Sequence, residues 1–189
     1  MHQIEPFYRW RDYYIAAQDE LSPFYGYTNS LTKYTHKIYN YLIHPEWDSF
    51  GSETLYIKLI YVNYEQNFAV LELIGEWNDC ISNDIMLIQQ EIINKLIEEG
   101  VQKIAFIGEN VLNFHASDDC YYEAIFDDLG DGWLVGLNFR DHVIQEFSGY
   151  GIATYFQIQG SFEDFNWRKY LPQHLCAAIE LSMQRKLGY

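Results

Sequence analysis

Two β-branched and aromatic runs, Leu55 to Tyr64 and Phe68 to Trp77, are separated only by Glu65-Gln66-Asn67. A break that short between strand-like runs predicts a β-hairpin with a tight turn. From Ser82 onward the chain alternates between helical and strand periodicity. Ser82-Asn83-Asp84 offers N-cap side chains for a helix starting near Ile85. Ile85, Ile88, Ile92 and Leu96, joined by Ile93 and Ile97, place one apolar stripe on that helix, and Gly100 stands where a left-handed C′ residue is wanted. Lys103 to Ile107 is a short apolar run of the buried parallel type. Residues 108 to 131 are mixed, with a helix expected from about Tyr121 to Leu129. A strand over Trp133 to Phe139 comes next, then a short helix capped by Asp141 that carries Val143, Ile144 and Phe147 and ends at Gly149 or Gly151. Ile152 to Ile158 reads as the final strand. Strands alternating with helices in this way specify the α/β class, here a mixed β-sheet with helices mainly on one face.

The flanks are less regular. Residues 8 to 20 suggest a short helix ending before Ser22-Pro23, and residues 34 to 43 a strand that stops at His44-Pro45. Pro172 suits the first turn of a C-terminal helix whose buried face is Leu175, Ile179, Met183 and Leu187. Eleven of the seventeen tyrosines lie before residue 65. Amphipathic rings that pack an irregular segment onto the core, hydroxyls outward, account for them better than a stacking platform for bases or sugars. The chain of 189 residues is expected to form a single domain: an aromatic-rich N-terminal extension (1–50), a core (51–160) and a C-terminal helix (161–189).

Charge removes whole classes of function. Twelve Lys and Arg against twenty-seven Asp and Glu give −15, the wrong sign for a phosphate backbone or an anionic membrane. No basic n-region followed by an apolar run opens the chain, and no apolar stretch reaches spanning length. Cys80, Cys120 and Cys176 are far apart and odd in number, as expected of reduced thiols in a cytoplasmic protein.

Over residues 55 to 160 the chain resembles the STAS domain, the fold of bacterial anti-sigma-factor antagonists and of sulfate-transporter tails. Three stretches carry the resemblance. Leu71-Glu-Leu-Ile-Gly75-Glu-Trp-Asn-Asp79 is similar to the family's strand ending in a Gly-Glu/Asp turn. Val101-Gln-Lys-Ile-Ala-Phe-Ile107 is similar to its central strand. Trp133-Leu-Val-Gly-Leu-Asn-Phe139 through Gly151-Ile-Ala-Thr-Tyr-Phe156 is similar to its last strand, helix, glycine and strand. The tyrosine-rich beginning resembles that of a bacterial protein family. The STAS resemblance implies a non-enzymatic interaction or regulatory module with a protein partner. The family's phosphorylated Asp-Ser-Ser/Thr-Gly turn corresponds to Phe114–Asp119. In direct register its aspartate falls on His115 and its serine on Ala116, and a slip of one residue is needed to bring Ser117 onto the mark. A phosphate on Ser117 would face Asp118 and Asp119 and be repelled.

No Walker-type loop, G-x-G-x-x-G, H-E-x-x-H or G-x-S-x-G is present, and nothing calls for a cofactor. The unusual segment lies between Lys103 and Arg140: it holds seven acids and no Lys or Arg. Clustered carboxylates suit Mg²⁺ or Ca²⁺. Yet Asp127-Asp128-Leu-Gly-Asp131-Gly132 lacks the twelve-residue calcium spacing and its terminal glutamate, so a solvated acidic face is the expectation. His115 beside Cys120 is likewise weighed against a buried structural cysteine. Two functions stay open. One is a partner surface on Trp77, Asp79, Asp84, Ser117, Asp118, Asp119, Tyr121, Tyr122 and Glu123. The other is a small-molecule or metal-dependent enzyme acting at residues 109–123, with Glu109 and His115. Intact mass spectrometry under non-reducing conditions is expected to find three free thiols; an intramolecular disulfide would overturn the cytoplasmic reading of the cysteines.

Overall fold

The computed structural model describes residues 4–30 and 32–186. The hairpin is present as β3 (Leu55–Asn63) and β4 (Phe68–Asn78), antiparallel in register from Leu55 opposite Gly75 to Asn63 opposite Phe68. Two further strands, β5 (Lys103–His115) and β6 (Trp133–Leu137), extend it in parallel, giving a four-stranded mixed sheet in the order β3-β4-β5-β6. The α/β class and the STAS-like succession of hairpin, helix, strand, helix, strand and helix are those expected from the sequence.

The two faces of the sheet are buried differently. Ala69, Leu71, Leu73, Ile104 and Phe106 point to one face. There they meet the stripe of Ile85, Ile88, Ile92 and Leu96, together with Ile125 of α3 (Cys120–Leu129) and Phe147 of α4 (Asp141–Gly149). The stripe lies on α1 (Asp84–Ile88), a π segment (Gln89–Ile93) and α2 (Asn94–Glu98), which succeed one another without a break. Phe68, Val70, Ala105, Ile107 and Val135 point to the other face. That face is covered by Trp10 from the N-terminal segment and by Phe162, Trp167, Leu175 and Ile179 from the C-terminal one. The period of two assigns each residue to a face, and cover on both sides explains why all of β4 is buried. The β3 bulge after Leu59 turns Ile60 and Tyr61 to the same face.

Several expectations are corrected. Residues 8 to 20 are turns with one 3-10 turn, Ala16–Gln18, because Trp10 is drawn into an aromatic cluster with Phe7, Tyr61 and Trp167 and Ile15 is extended. Residues 34 to 43 fold back at Tyr39, whose φ of 51° splits them into β1 (Lys37–Ile38) and β2 (Tyr41–Leu42). β4 fills the Phe68 to Trp77 run expected of it and reaches Asn78, without the turn at Gly75 that the resemblance implies. It passes through that glycine, at φ +124°, where a Cβ would sit 2.1 Å from the Thr54 carbonyl oxygen. Ile152–Thr154 is a 3-10 turn, and only Gln157 bridges β6, so the expected last strand is absent. Asn83 and Arg140, the residues before α1 and α4, make no side-chain cap. Rings before residue 65 are also less buried than expected: Tyr8, Tyr13, Tyr25, Tyr27, Tyr34, Tyr39 and Tyr41 stand at the surface. The C-terminal helix is α5 (Pro172–Lys186), with Leu175 and Ile179 buried and Met183 packed beside them; Leu187 lies outside the described residues.

With β5 internal, Phe106 meets Trp77 and Phe156 at ring-centroid distances of 6.0 and 5.8 Å. Phe106→Ala is expected to cost about 3–5 kcal/mol in chemical denaturation, the penalty of a core aromatic. A loss below about 1 kcal/mol would contradict the central place of β5.

Candidate functional site

β4 and β5 end side by side, with Asn78 opposite His115. The loops that leave them are stitched together. The amides of Asp79 and Cys80 both donate to the His115 carbonyl, at 2.9 and 3.2 Å. The Cys80 thiol reaches the Ala116 carbonyl at 2.6 Å. The Asn78 side-chain oxygen accepts the Ile81 amide at 2.9 Å.

Beneath these loops lies a buried polar node. The Asp79 carboxylate accepts Trp77 Nε1–H at 2.9 Å, the Tyr122 hydroxyl at 2.7 Å and the Ile85 amide at 2.9 Å. The last bond satisfies an orphan donor at the start of α1, so Asp79 caps the helix from outside where Asn83 does not. Asp84 accepts the Asn78 amide at 2.7 Å on Oδ2, while Oδ1 has no hydrogen-bond partner. Burial pushes the carboxyl of Asp79 up to about 6 against its three donors, and that of Asp84 to about 6 against the Asn78 amide.

Trp77, Asp79, Asp84 and Tyr122 are therefore buried and cannot themselves touch a partner. Trp77 is enclosed by Phe114, Tyr122 and Phe147. A tryptophan and a tyrosine whose polar ends share one carboxylate lose nothing by burial, which is why rings expected at the surface are inside. The residues left at this end are Ser117, Asp118 and Glu123, exposed, and His115, Asp119 and Tyr121, partly exposed. Ile81, which sequence reasoning passes over, is 86% exposed at the tip of the 79–83 loop.

The nucleophile reading of Cys120 finds little in the geometry. His115 Nε2 lies 2.7 Å from Glu76. Cys120 is exposed, and the hydrogen bond with Asp118 raises its thiol above the ordinary value. Glu109 is elsewhere in function: it accepts Asn138 Nδ2 and Trp167 Nε1, each at 2.9 Å, and both Arg168 Nη atoms at 2.6 Å. Burial pushes its carboxyl up, but these donors outweigh that and hold it below the ordinary value. It fastens the C-terminal segment to the sheet. Glu72, between the β4 core positions Leu71 and Leu73, is its neighbour, and sequence reasoning misses it. A charge inside an apolar strand run is a visible signal, since such residues are rarely buried without a partner.

No family model matches the chain, and no curated protein is found to match it. Among solved structures, the chain is similar to the anti-sigma factor antagonist SpoIIAA in its unphosphorylated form, at 16% identity and a TM-score of 0.41, over 55% of this chain and 88% of that one. It is also similar to the phosphorylated form of SpoIIAA, a Bacillus cell fate determinant, at 16% identity and a TM-score of 0.37, over 55% of this chain and 91% of that one. No helix among the described residues is long and apolar enough to cross a membrane.

Glu72 accepts the Phe7 amide at 2.7 Å, and burial raises its carboxyl from 4.5 to about 7. A folded pKa above the unfolded one means that the fold binds this proton more tightly. The contribution is present below about 4.5 and lost as pH rises through about 7. Glu72→Gln is thus expected to match wild type in urea unfolding at pH 4 and to exceed it by about 1–3 kcal/mol at pH 8. No gain at pH 8 would show that the carboxylate is not desolvated there.

Proposed function

We propose that the chain is a non-enzymatic interaction module of the cytoplasm that binds a protein partner through the loops 79–83 and 116–123. The observation that carries this reading is Ile81, 86% exposed on a loop fixed by five bonds from residues 79–82 to residues 78 and 115–116. A large apolar side chain held out from a rigid loop loses little freedom on binding, as an interface anchor requires. Asp118 and Glu123 are exposed beside it, with Asp119 and Tyr121 partly so. Such a rim selects a basic partner and speeds encounter at low salt. Trp77, Asp79, Asp84 and Tyr122 are assigned the supporting role: they set the loop's shape from below. Ser117, exposed next to Asp118, contributes to the rim rather than to a phosphoserine switch.

The enzyme reading has weaker support, since Glu109 is engaged by Arg168 and the hydrogen bond with Asp118 raises the Cys120 thiol above its ordinary value.

The test is affinity capture from the source cell with wild type and with Ile81→Asp, followed by titration of the captured protein. Ile81→Asp is expected to fold with unchanged stability and to bind at least tenfold more weakly, the loss of a central apolar anchor. Capture of no partner by wild type, or equal binding by the variant, would remove this surface from consideration.

A further inference from the structure

A cavity of ≈ 280 Å³ lies between the N-terminal segment and the outer edge of β3, lined by none of the residues of the loops that carry Ile81. Its floor includes Leu59, at the bulge, and its apolar wall includes Phe24 and Tyr27, whose rings meet edge to face at 5.5 Å. The remaining wall is charged. Asp48 and Glu46 supply two carboxylates, and Lys58 and Arg11 supply two bases.

The acids and the bases are not held alike. Asp48 exchanges both backbone hydrogen bonds with Ile57, at 2.8 and 3.0 Å, so the β3 edge fixes its position. It is 2% exposed, and Asn29 donates to its Oδ1 at 2.6 Å. Its Oδ2 makes no hydrogen bond: Lys58 Nζ approaches to 2.9 Å, near enough for an ion pair but not aligned for a bond. The Glu46 side chain is 16% exposed, whereas that of its partner Arg11 is 49% exposed. The negative charges are therefore built into the wall. The positive ones sit on longer and more exposed side chains, 26% for Lys58 and 49% for Arg11, whose stems let the charged heads swing toward solvent.

Whatever enters this cavity can displace the bases but not the acids, and charge balance then requires the entrant to be a cation. Its body must match an aromatic and aliphatic wall, and an ammonium also gains from aromatic faces. We propose that this cavity binds a small primary amine carried on an aromatic or apolar body, with the ammonium on Asp48 Oδ2 and Glu46 and with Lys58 and Arg11 displaced to solvent. The buried carboxylate oxygen that lacks a hydrogen bond is the atom such a ligand completes. The proposal shares no residue with the Ile81 surface, so either can fail without the other.

Isothermal titration of the full chain with 2-phenylethylamine, and with phenylacetate as a control of opposite charge, tests it. Saturable one-to-one binding of the amine alone is expected. Asp48→Asn is expected to weaken it at least about tenfold, the loss of a charged hydrogen bond. Should Asp48→Asn fold poorly, Ala17→Phe fills the cavity without removing a buried charge; it is expected to abolish binding while leaving the circular dichroism spectrum unchanged. No saturation at millimolar amine, equal binding of phenylacetate, or full binding by folded Ala17→Phe would each overturn the proposal.

Discussion

The Asp79 carboxylate joins three parts of the molecule that the chain makes separately: the end of β4 through Trp77, the first turn of α1 through Ile85, and α3 through Tyr122. Removing the acid would leave an indole N–H and a phenol O–H buried without acceptors, each at about 1–3 kcal/mol. Keeping it costs desolvation of a carboxylate, which its raised pKa of about 6 shows the three donors only partly offset. The node therefore contributes definition more than stability. It sets where α1 begins and how the 79–83 loop leaves the sheet. In that sense the exposed Ile81 is a consequence of a buried aspartate two residues before it.

A second carboxylate plays a comparable part on the other side of the sheet. Glu109 gathers Asn138, Trp167 and Arg168, and the Arg168 guanidinium lies 4.4 Å from the Trp167 ring. This fastens the segment that leads into α5. Phe7 and Trp10 then pack edge-on against Trp167, at 4.7 and 5.4 Å, so the two ends of the chain meet over one face. The core from β3 to α4 is not self-sufficient. Val70, Ala105, Ile107 and Val135 would face water without these segments. The N-terminal segment and α5 together cover this face of the sheet.

The helices most legible in the sequence are those whose period is set by a single neighbour, the Ile85–Leu96 stripe and the α5 face, while β3 and β4, covered on both faces, stand out as apolar runs on either side of a short turn. β5 is legible only to Ile107 yet runs to His115, because beyond Gly108 it carries Glu109, Asn110 and Asn113, and polar residues do not announce a strand. Glu109 finds its partner far along the chain in Arg168, while Asn113 meets His115 two residues on in the same strand. The site is legible in place but not in role. Trp77 and Tyr122 stand next to loops and acids, the pattern of an exposed anchor. Their shared contact with Asp79 satisfies their polar ends inside, and the separation of 43 residues between Asp79 and Tyr122 hides that contact from any local pattern.

The same division sorts the charge. A net −15 read from composition treats every acid alike and assigns all of them to solvation. The structure separates two populations. Asp48, Glu72, Glu76, Asp79 and Asp84 are buried and spent on amides, hydroxyls, a lysine or a histidine inside the fold. Asp118, Glu123, Asp127, Asp128 and Asp131 are exposed along α3 and the turns at its two ends. This second set begins at the stitched loops that hold out Ile81, and further acids, among them Glu5, Asp12, Glu20, Glu65, Glu98, Glu99, Glu163 and Asp164, are exposed on other elements. The α3 acids therefore add to a surface that is negative on several elements, and what sets their end of the molecule apart, in the function proposed above, is the exposed apolar Ile81 held among them.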